Sequence, residues 1–211
     1  VSDPQNNHTT LTRMVVETRE MLDEVARRKG RARMLLGVRV GPLLDGPYRQ
    51  EEFPGGGQAY MNLSCRDQGL DVRTWIEQEY VDYVCPTLFW PSWPGIPKTE
   101  EFAELAQGKN VGIYPTLFPL PTYLEQEAKQ LGGIGIHDKK RLLRYKNGFC
   151  KAALQLYAAG ADGISTFNWY YHLHLAAVPN QWQTYYGYGA GGASVQSHLL
   201  SIVDDPQAIQ S

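Results

Sequence analysis

Aromatic side chains follow two strand-like segments of this sequence, at positions that suit contact with a sugar. Trp90 and Trp93 come after the segment ending at Phe89, and Trp169 comes after the segment ending at Asn168. A flat ring gives the C–H face of a sugar an apolar platform, while a few polar groups fix its orientation, as in ligand pockets generally. The alternative is that these rings only pack loops against the protein. The predicted substrate-binding residues are Arg39, Trp90, Trp93, Tyr114, Asn168, Trp169, Tyr170 and His172.

Carboxylates that could cleave a glycosidic bond are scarce near the same strand ends. A glycoside hydrolase normally uses two carboxyl groups, ~5 Å apart for retention and ~6.5–9.5 Å apart for inversion. The nearest acids in a strand-following loop are Asp45, Glu51 and Glu52. Asp45 and Glu52 are the candidate catalytic residues, with a solvated loop acid as the alternative for Asp45. Asp82 and Asp162 precede their strands, which assigns them to the stability face of a barrel.

Other residue patterns that could indicate a metal, phosphate or thiol site are weaker evidence for function. His172 and His174 form a His-x-His pair, but no nearby cysteine or carboxylate completes a metal site. The glycine- and tyrosine-rich segment 185–194 runs into a predicted helix, yet it lacks the preceding buried strand of a dinucleotide-binding loop. We interpret it as a loop over the site. Cys85 and Cys150 lie in apolar patterns typical of buried thiols. The sequence therefore predicts no metal and no cofactor.

The composition is that of an ordinary globular protein. The chain has 211 residues, 43% hydrophobic and 20% charged, with a net charge of −2. This length suits one domain, here residues 1–211, with a sizeable core. A near-neutral charge gives no basic surface for nucleic acid or for an anionic membrane. No apolar run approaches the ~20 residues that span a bilayer, so we expect neither a nucleic-acid nor a membrane partner.

Helical and strand-like patterns alternate along the chain, which is typical of βα units and a parallel sheet. Glycines at 30, 108 and 160 are placed to close three of the helices. The predicted strands are 34–40, 81–85, 111–114 and 163–168. The predicted helices begin after Thr9 or Thr10, after Asp71, at the cap Thr99, near Lys139 and after Ser194.

One tetrapeptide, Pro-Thr-Leu-Phe, occurs at 86–89 and again at 115–118, each time at the end of a predicted strand. Proline cannot donate to a strand ladder, so we expect each one to mark where its strand leaves the sheet. A (β/α)8 barrel has eight strands. Four strands with their helices predict an α/β fold, a parallel half-barrel like part of a TIM barrel.

Three segments resemble the bacterial family-10-like glycosyl hydrolases, uncharacterised TIM-barrel proteins common in Planctomycetes. Residues 69–86 read Gly-Leu-Asp-Val-Arg-Thr-Trp followed by a Val-Asp strand, as is typical of the family, and 158–168 resemble its final strand. Residues 36–40 resemble its fifth strand, with Arg39 at the family's arginine position. The resemblance covers about 34–168 and implies that the chain corresponds to barrel strands five to eight.

The resemblance and the aromatic residues together predict a carbohydrate-active protein of the glycoside hydrolase type. It would act on, or bind, an oligo- or polysaccharide at the carboxyl ends of its strands. The alternatives are a non-catalytic sugar-binding half-barrel, or a lyase or isomerase that uses His172 and a tyrosine. Because exposed strand edges need cover, we expect a homodimer or completion by another barrel half. The family implies a bacterial source and suggests a secreted or periplasmic full-length protein, although the sequence specifies no compartment.

Overall fold

A computed structural model describes residues 4–47, 49, 63–88, 96–117, 139–166 and 201–210. No described helix is long and apolar enough to cross a membrane. The helices are α1 (Pro4–Arg28), α2 (Val72–Glu77), α3 (Thr99–Ala106), α4 (Lys139–Ala158) and α5 (Pro206–Gln210). The strands are β1 (Gly37–Val40), β2 (Tyr83–Pro86), β3 (Gly112–Ile113), β4 (Thr116–Leu117) and β5 (Ser165–Thr166).

The helix starts agree with the sequence in one case and differ in two. The predicted cap Asp71 is confirmed, because its carboxylate accepts the backbone N–H of Thr74 at 3.2 Å. Helix α1 begins at Pro4, earlier than predicted, since proline suits the first helical turn, where its missing N–H costs nothing. Thr99 is the first residue of α3 instead of its cap, and its hydroxyl donates to the Pro97 carbonyl at 3.2 Å.

Glycines close α1 and α4 in the same way. Gly30 has φ 57° and Gly160 has φ 91°, the left-handed region that favours glycine. After α4 the Gly160 N–H donates to the carbonyl of Tyr157, and the Ala161 N–H reaches back to Leu156. This pair of bonds is the Schellman arrangement, which satisfies the last carbonyls of a helix. The predicted role of Gly160 is therefore confirmed.

All the described strand pairs are parallel, which confirms the α/β class with a parallel sheet. Strands β1, β2 and β3 form one sheet in that order, and β4 pairs with β5 in a second. A single bridge between Thr87 and Thr116 links the two sheets. The predicted continuous array of four strands is thus divided, and the described residues do not close into a barrel.

The division falls at Pro115. Proline has no N–H for the ladder, and the strand is interrupted there: β3, before the proline, pairs with β2, and β4, after it, pairs with β5. The ladder nevertheless passes both prolines that were expected to end it. The Pro115 carbonyl accepts the Ser165 N–H at 3.0 Å, and beyond Pro86 the Thr87 N–H donates to Val40 at 3.0 Å. The first three residues of each repeated tetrapeptide therefore lie side by side, with the two threonines directly paired.

Two apolar clusters join helices to these strands. Packing against one face of the strands accounts for both, because burial of apolar side chains is the main favourable contribution to folding. The first cluster, joining α1, α2 and α3 to β1–β3, includes Val15, Val40, Trp75, Ile76, Val84, Phe102 and Ile113. The second, joining α4 and α5 to β4, includes Leu117, Phe149, Ala153, Leu156, Val203 and Ile209.

Candidate functional site

The strand face opposite the helices carries several side chains that could bind a ligand or take part in chemistry. Successive residues of a strand point to opposite faces, so Val38, Val40 and Val84 face the helices while their neighbours face the other way. We call this second surface the open face, because no described helix covers it. From the strand register, its members are Gly37, Arg39, Gly41, Tyr83, Cys85, Thr87, Gly112, Tyr114, Thr116, Gly163 and Ser165.

Two tyrosine rings lie across glycines on the open face. A Cβ on Gly37 would overlap the ring of Tyr83, and a Cβ on Gly163 would lie 2.9 Å from the ring of Tyr114. The two rings meet edge to face, with centroids 5.8 Å apart and planes at 88°, a favourable geometry for an aromatic pair. Each tyrosine ring therefore fits in its position because the residue beside it on the neighbouring strand is a glycine, which has no side chain.

Tyr114, a predicted substrate-binding residue, lies nearer the amino ends of the strands than expected. Its N–H pairs with Val84 within the ladder at 2.8 Å. Its half-exposed ring contributes to a cavity of about 380 Å³ together with Asp82 and Asp162, which precede their strands. The ring thus reaches toward the amino ends of the strands, away from the edge where aromatic residues were predicted.

Arg39, another predicted binding residue, is exposed and shares the open face with Cys85 and Ser165. Cys85 is directly opposite Arg39 in the register. Burial raises the pKa of the Cys85 thiol, while the Ser165 hydroxyl hydrogen bond and the positive charge of Arg39 act against that rise. The thiol therefore stays protonated near neutral pH, and Arg39 is the charged group of this surface.

The carboxyl edge of the open face is held by a buried pair of threonines. The Thr87 hydroxyl donates to the Thr116 hydroxyl at 2.9 Å, and neither side chain is exposed. Leu88, Leu117 and Thr166 are the last described residues of their strands at this edge. The segments predicted to carry aromatic side chains thus leave the same edge from β2 and β5, with the segment of β3 and β4 between them. Trp90, Trp93, Asn168, Trp169, Tyr170, His172 and Glu52 themselves lie outside the described residues.

Asp45, the first candidate for catalysis, lies on the helix side of the sheet. Its carboxylate pairs with the Arg73 guanidinium at 2.9 Å and stands 3.9 Å from that of Arg66. The hydrogen bond to Asp45 raises the pKa of Arg73. Asp45 is therefore a paired acid beside α2, and its carboxylate does not lie on the open face with Arg39.

Asp82 and Asp162 have closely similar structural positions. Asp162 accepts the Ile113 N–H at 2.7 Å, and Asp82 accepts the Leu36 N–H at 2.6 Å, each across to the preceding strand. Asp82 also pairs with the buried guanidinium of Arg19 at 2.8 Å. The sequence prediction passed over Arg19. Its signal is the helical stripe 15, 19, 22 and 26, in which an arginine replaces one of the apolar residues.

Comparisons with known proteins leave the family open. No protein-family model matches the chain, and no curated protein matches it either. In the part of the chain that the structure describes, no three His, Cys, Asp or Glu side chains converge as metal ligands. Cys65, Cys85 and Cys150 are buried, and none of the three forms a disulfide bond. The similarity to family-10-like glycosyl hydrolases therefore stays a prediction, and the open face is the surface on which a functional hypothesis can be built.

Proposed function

We propose that the chain supplies four consecutive strands of a (β/α)8-type barrel and that the open face forms half of the barrel interior. In this proposal the protein is carbohydrate-active, of the glycoside hydrolase type. It holds an oligo- or polysaccharide at the carboxyl ends of the strands, where barrel proteins bind their ligands. A second copy of the chain, or another barrel half, completes the ring of strands.

The alternation of bulky and small residues on the open face carries the proposal. Tyr83 stands between Gly37 and Gly112 at one level of the sheet. One level higher the pattern reverses, because the register sets the small Cys85 between Arg39 and Tyr114. Barrel interiors fill in layers to which alternate strands contribute the large side chains. A sheet face turned to solvent has no need of such a pattern.

The saccharide hypothesis draws on the chemistry of the carboxyl edge. Chain segments that include Trp90, Trp93 and Trp169 follow the carboxyl ends of β2 and β5, which lie on either side of the segment that carries β3 and β4. Indole rings supply apolar platforms, and Arg39 supplies the charge-assisted hydrogen bonds that orient hydroxyl groups. A phosphate ligand fits less well, because bulky aromatic residues stand where barrels of that kind carry glycines.

One observation favours the non-catalytic alternative for the chain by itself. Hydrolysis needs two carboxyl groups facing the bond, yet Asp45 is engaged by Arg73 and Arg66 on the helix side. No acid stands at the carboxyl edge of the open face within the described ranges. Catalysis therefore requires an acid outside the described residues, with Glu52 as the candidate, or carboxylates from the completing half, while saccharide binding requires neither.

Saccharide binding by open-face variants tests the proposal. The full chain is titrated with a panel of polysaccharides and assayed on the same panel for released reducing ends. We expect saturable binding that weakens about tenfold in Arg39→Ala, the loss of one charge-assisted hydrogen bond. We also expect weaker binding in Trp90→Ala. Arg31→Ala, which removes an exposed arginine from the turn after α1, is the matched control and should bind normally.

The outcomes separate the two forms of the proposal. Binding with turnover that is lost in Glu52→Gln supports a hydrolase. Binding without turnover supports the non-catalytic form. A chain that binds no member of the panel, or an Arg39→Ala variant with unchanged affinity, contradicts the placement of a saccharide on this surface.

A further inference from the structure

A second small cavity lies on the helix side of the sheet, beside the loop that follows β1. Its volume is about 190 Å³, room for roughly six water molecules at ~30 Å³ each. That is below the range of drug-sized pockets and suits a ligand the size of one sugar ring. The residues that matter for recognition are His8, Asp45, Arg66, Leu70, Asp71 and Arg73.

Opposite charges are balanced around this cavity. Two carboxylates, Asp45 and Asp71, line it together with two guanidiniums, Arg66 and Arg73, so the charges of these four side chains cancel. The two acids repel an anionic ligand, and the two arginines repel a cationic ligand. A neutral molecule that both donates and accepts hydrogen bonds meets no opposing charge.

Several hydrogen-bonding groups of the rim keep capacity for a ligand. Asp71 uses one carboxylate oxygen to cap α2, and its other oxygen accepts from no described residue. The Arg66 guanidinium stays 3.9 Å from Asp45, beyond hydrogen-bond distance, and donates to no residue in the described ranges. His8 contacts the Arg66 carbonyl through Nε2 at 3.0 Å. With that nitrogen as donor, its Nδ1 is left as an acceptor.

The floor of the cavity is apolar, with Leu44 and Cys65 nearly inaccessible and Leu70 partly exposed. Burial raises the pKa of the Cys65 thiol to about 12, so it acts as a neutral apolar group. The surface that a ligand would contact is therefore mostly polar, which suits a molecule rich in hydroxyl groups.

From these features we infer that the cavity is a subsite for a single neutral sugar ring, gripped by Asp71 and Arg66 and by the Asp45–Arg73 ion pair. This inference rests on the proposed saccharide function and gives Asp45 a binding role in place of a catalytic one. Sugar hydroxyls match a cavity lined by both carboxylate and guanidinium groups, because a hydroxyl donates to the first and accepts from the second.

Monosaccharide binding to the full chain tests the inference. Glucose, galactose, mannose and xylose are titrated by ligand-observed NMR, together with Arg66→Ala and Asp71→Asn. Asparagine caps a helix as well as aspartate does, so Asp71→Asn removes the charge and leaves α2 intact. We expect each variant to weaken binding about tenfold, the effect of losing one charge-assisted hydrogen bond. Arg13→Ala, an exposed arginine of α1, is the matched control and should bind as the unmodified chain does.

The same titrations separate failure of the inference from failure of the proposed function. Saccharide binding that falls in Arg39→Ala but stays unchanged in Arg66→Ala and Asp71→Asn overturns the subsite and leaves the open-face proposal standing. Absence of binding to any saccharide overturns both. Binding of inorganic sulfate that depends on Arg66, with no sugar bound, identifies an anion site and also overturns the inference.

Discussion

Replacing Asp82 by alanine is the sharpest test of how the sheet is held together. Its carboxylate accepts the Leu36 N–H at 2.6 Å and pairs with Arg19 at 2.8 Å and with Arg33 at 2.9 Å. The side chains of Arg19 and Asp82 are 6% and 7% exposed, whereas Arg33 is 39% exposed. Asp82 therefore joins α1, the start of β1 and the start of β2 through one buried group.

The expected loss in unfolding free energy follows from this burial. Removing one partner of a buried ion pair costs ~3–5 kcal/mol when the other charge is left uncompensated. Arg19 keeps its ion pair with Asp23 and its hydrogen bond to the Met34 carbonyl, which lessens that cost. The exposed pair with Arg33 adds less than ~1 kcal/mol. Contributions from one network do not add, so we predict a total of ~3 kcal/mol for Asp82→Ala, the lower end of that range. That is a large fraction of the ~5–15 kcal/mol by which a domain is stable.

Equilibrium urea unfolding, followed by tryptophan fluorescence and far-ultraviolet circular dichroism, measures this loss as a lower midpoint at an unchanged slope. Asp162→Ala is the matched control, because Asp162 is exposed and makes one backbone hydrogen bond, to Ile113. Its loss should cost ~1 kcal/mol. Asp82→Asn keeps an oxygen for Leu36 and should fall between the two. Equal costs for Asp82→Ala and Asp162→Ala would refute the role given to the buried pair.

Three further predictions concern the open face and its surroundings. Gly37→Ala should destabilise the fold by ~1–3 kcal/mol, seen as a lower unfolding midpoint, because the new methyl group overlaps the Tyr83 ring. In a double-mutant cycle with valine at both positions, Thr87 and Thr116 should show a coupling of ~0.5–1.5 kcal/mol, and additive effects would contradict their hydrogen bond. The pKa of Cys65 is raised by burial to about 12, so the folded state keeps its proton while the unfolded thiol ionises from about 9. The contribution of Cys65 to the free energy of unfolding should therefore be constant below that pH and fall as pH rises toward 12. Cys65→Ala should lessen the loss of stability in alkaline urea titrations.

The sequence was informative where a local rule is strong. Asp71 at the start of α2 and Gly160 at the end of α4 were predicted from their types and neighbours, because capping depends on residues close in the chain. The parallel sheet followed from strands that alternate with helices. The two helix ends depend only on local contacts, the parallel direction of the strands follows from the helices between them, and each of these predictions is confirmed.

Features that depend on contacts between distant segments were predicted less well. The strand ladder continues past Pro86 but is interrupted at Pro115. This difference depends on which neighbouring strand the backbone groups around each proline face. Tyr114 points toward the amino ends because Gly112 and Gly163 leave room for its ring there. Asp45 meets Arg73 from a separate helix. The distance of Tyr114 and Asp45 along the chain from a strand end does not indicate which residues they contact.

The mass of the particle in solution tests most directly whether the open face is half of a barrel interior. Native mass spectrometry of the purified chain, with light scattering across a tenfold range of concentration, measures it. A face of alternating large and small residues that needs a completing half predicts a dimer of twice the 23.8 kDa chain. A stable monomer at every concentration, able to bind saccharide with no second half, would contradict that architecture.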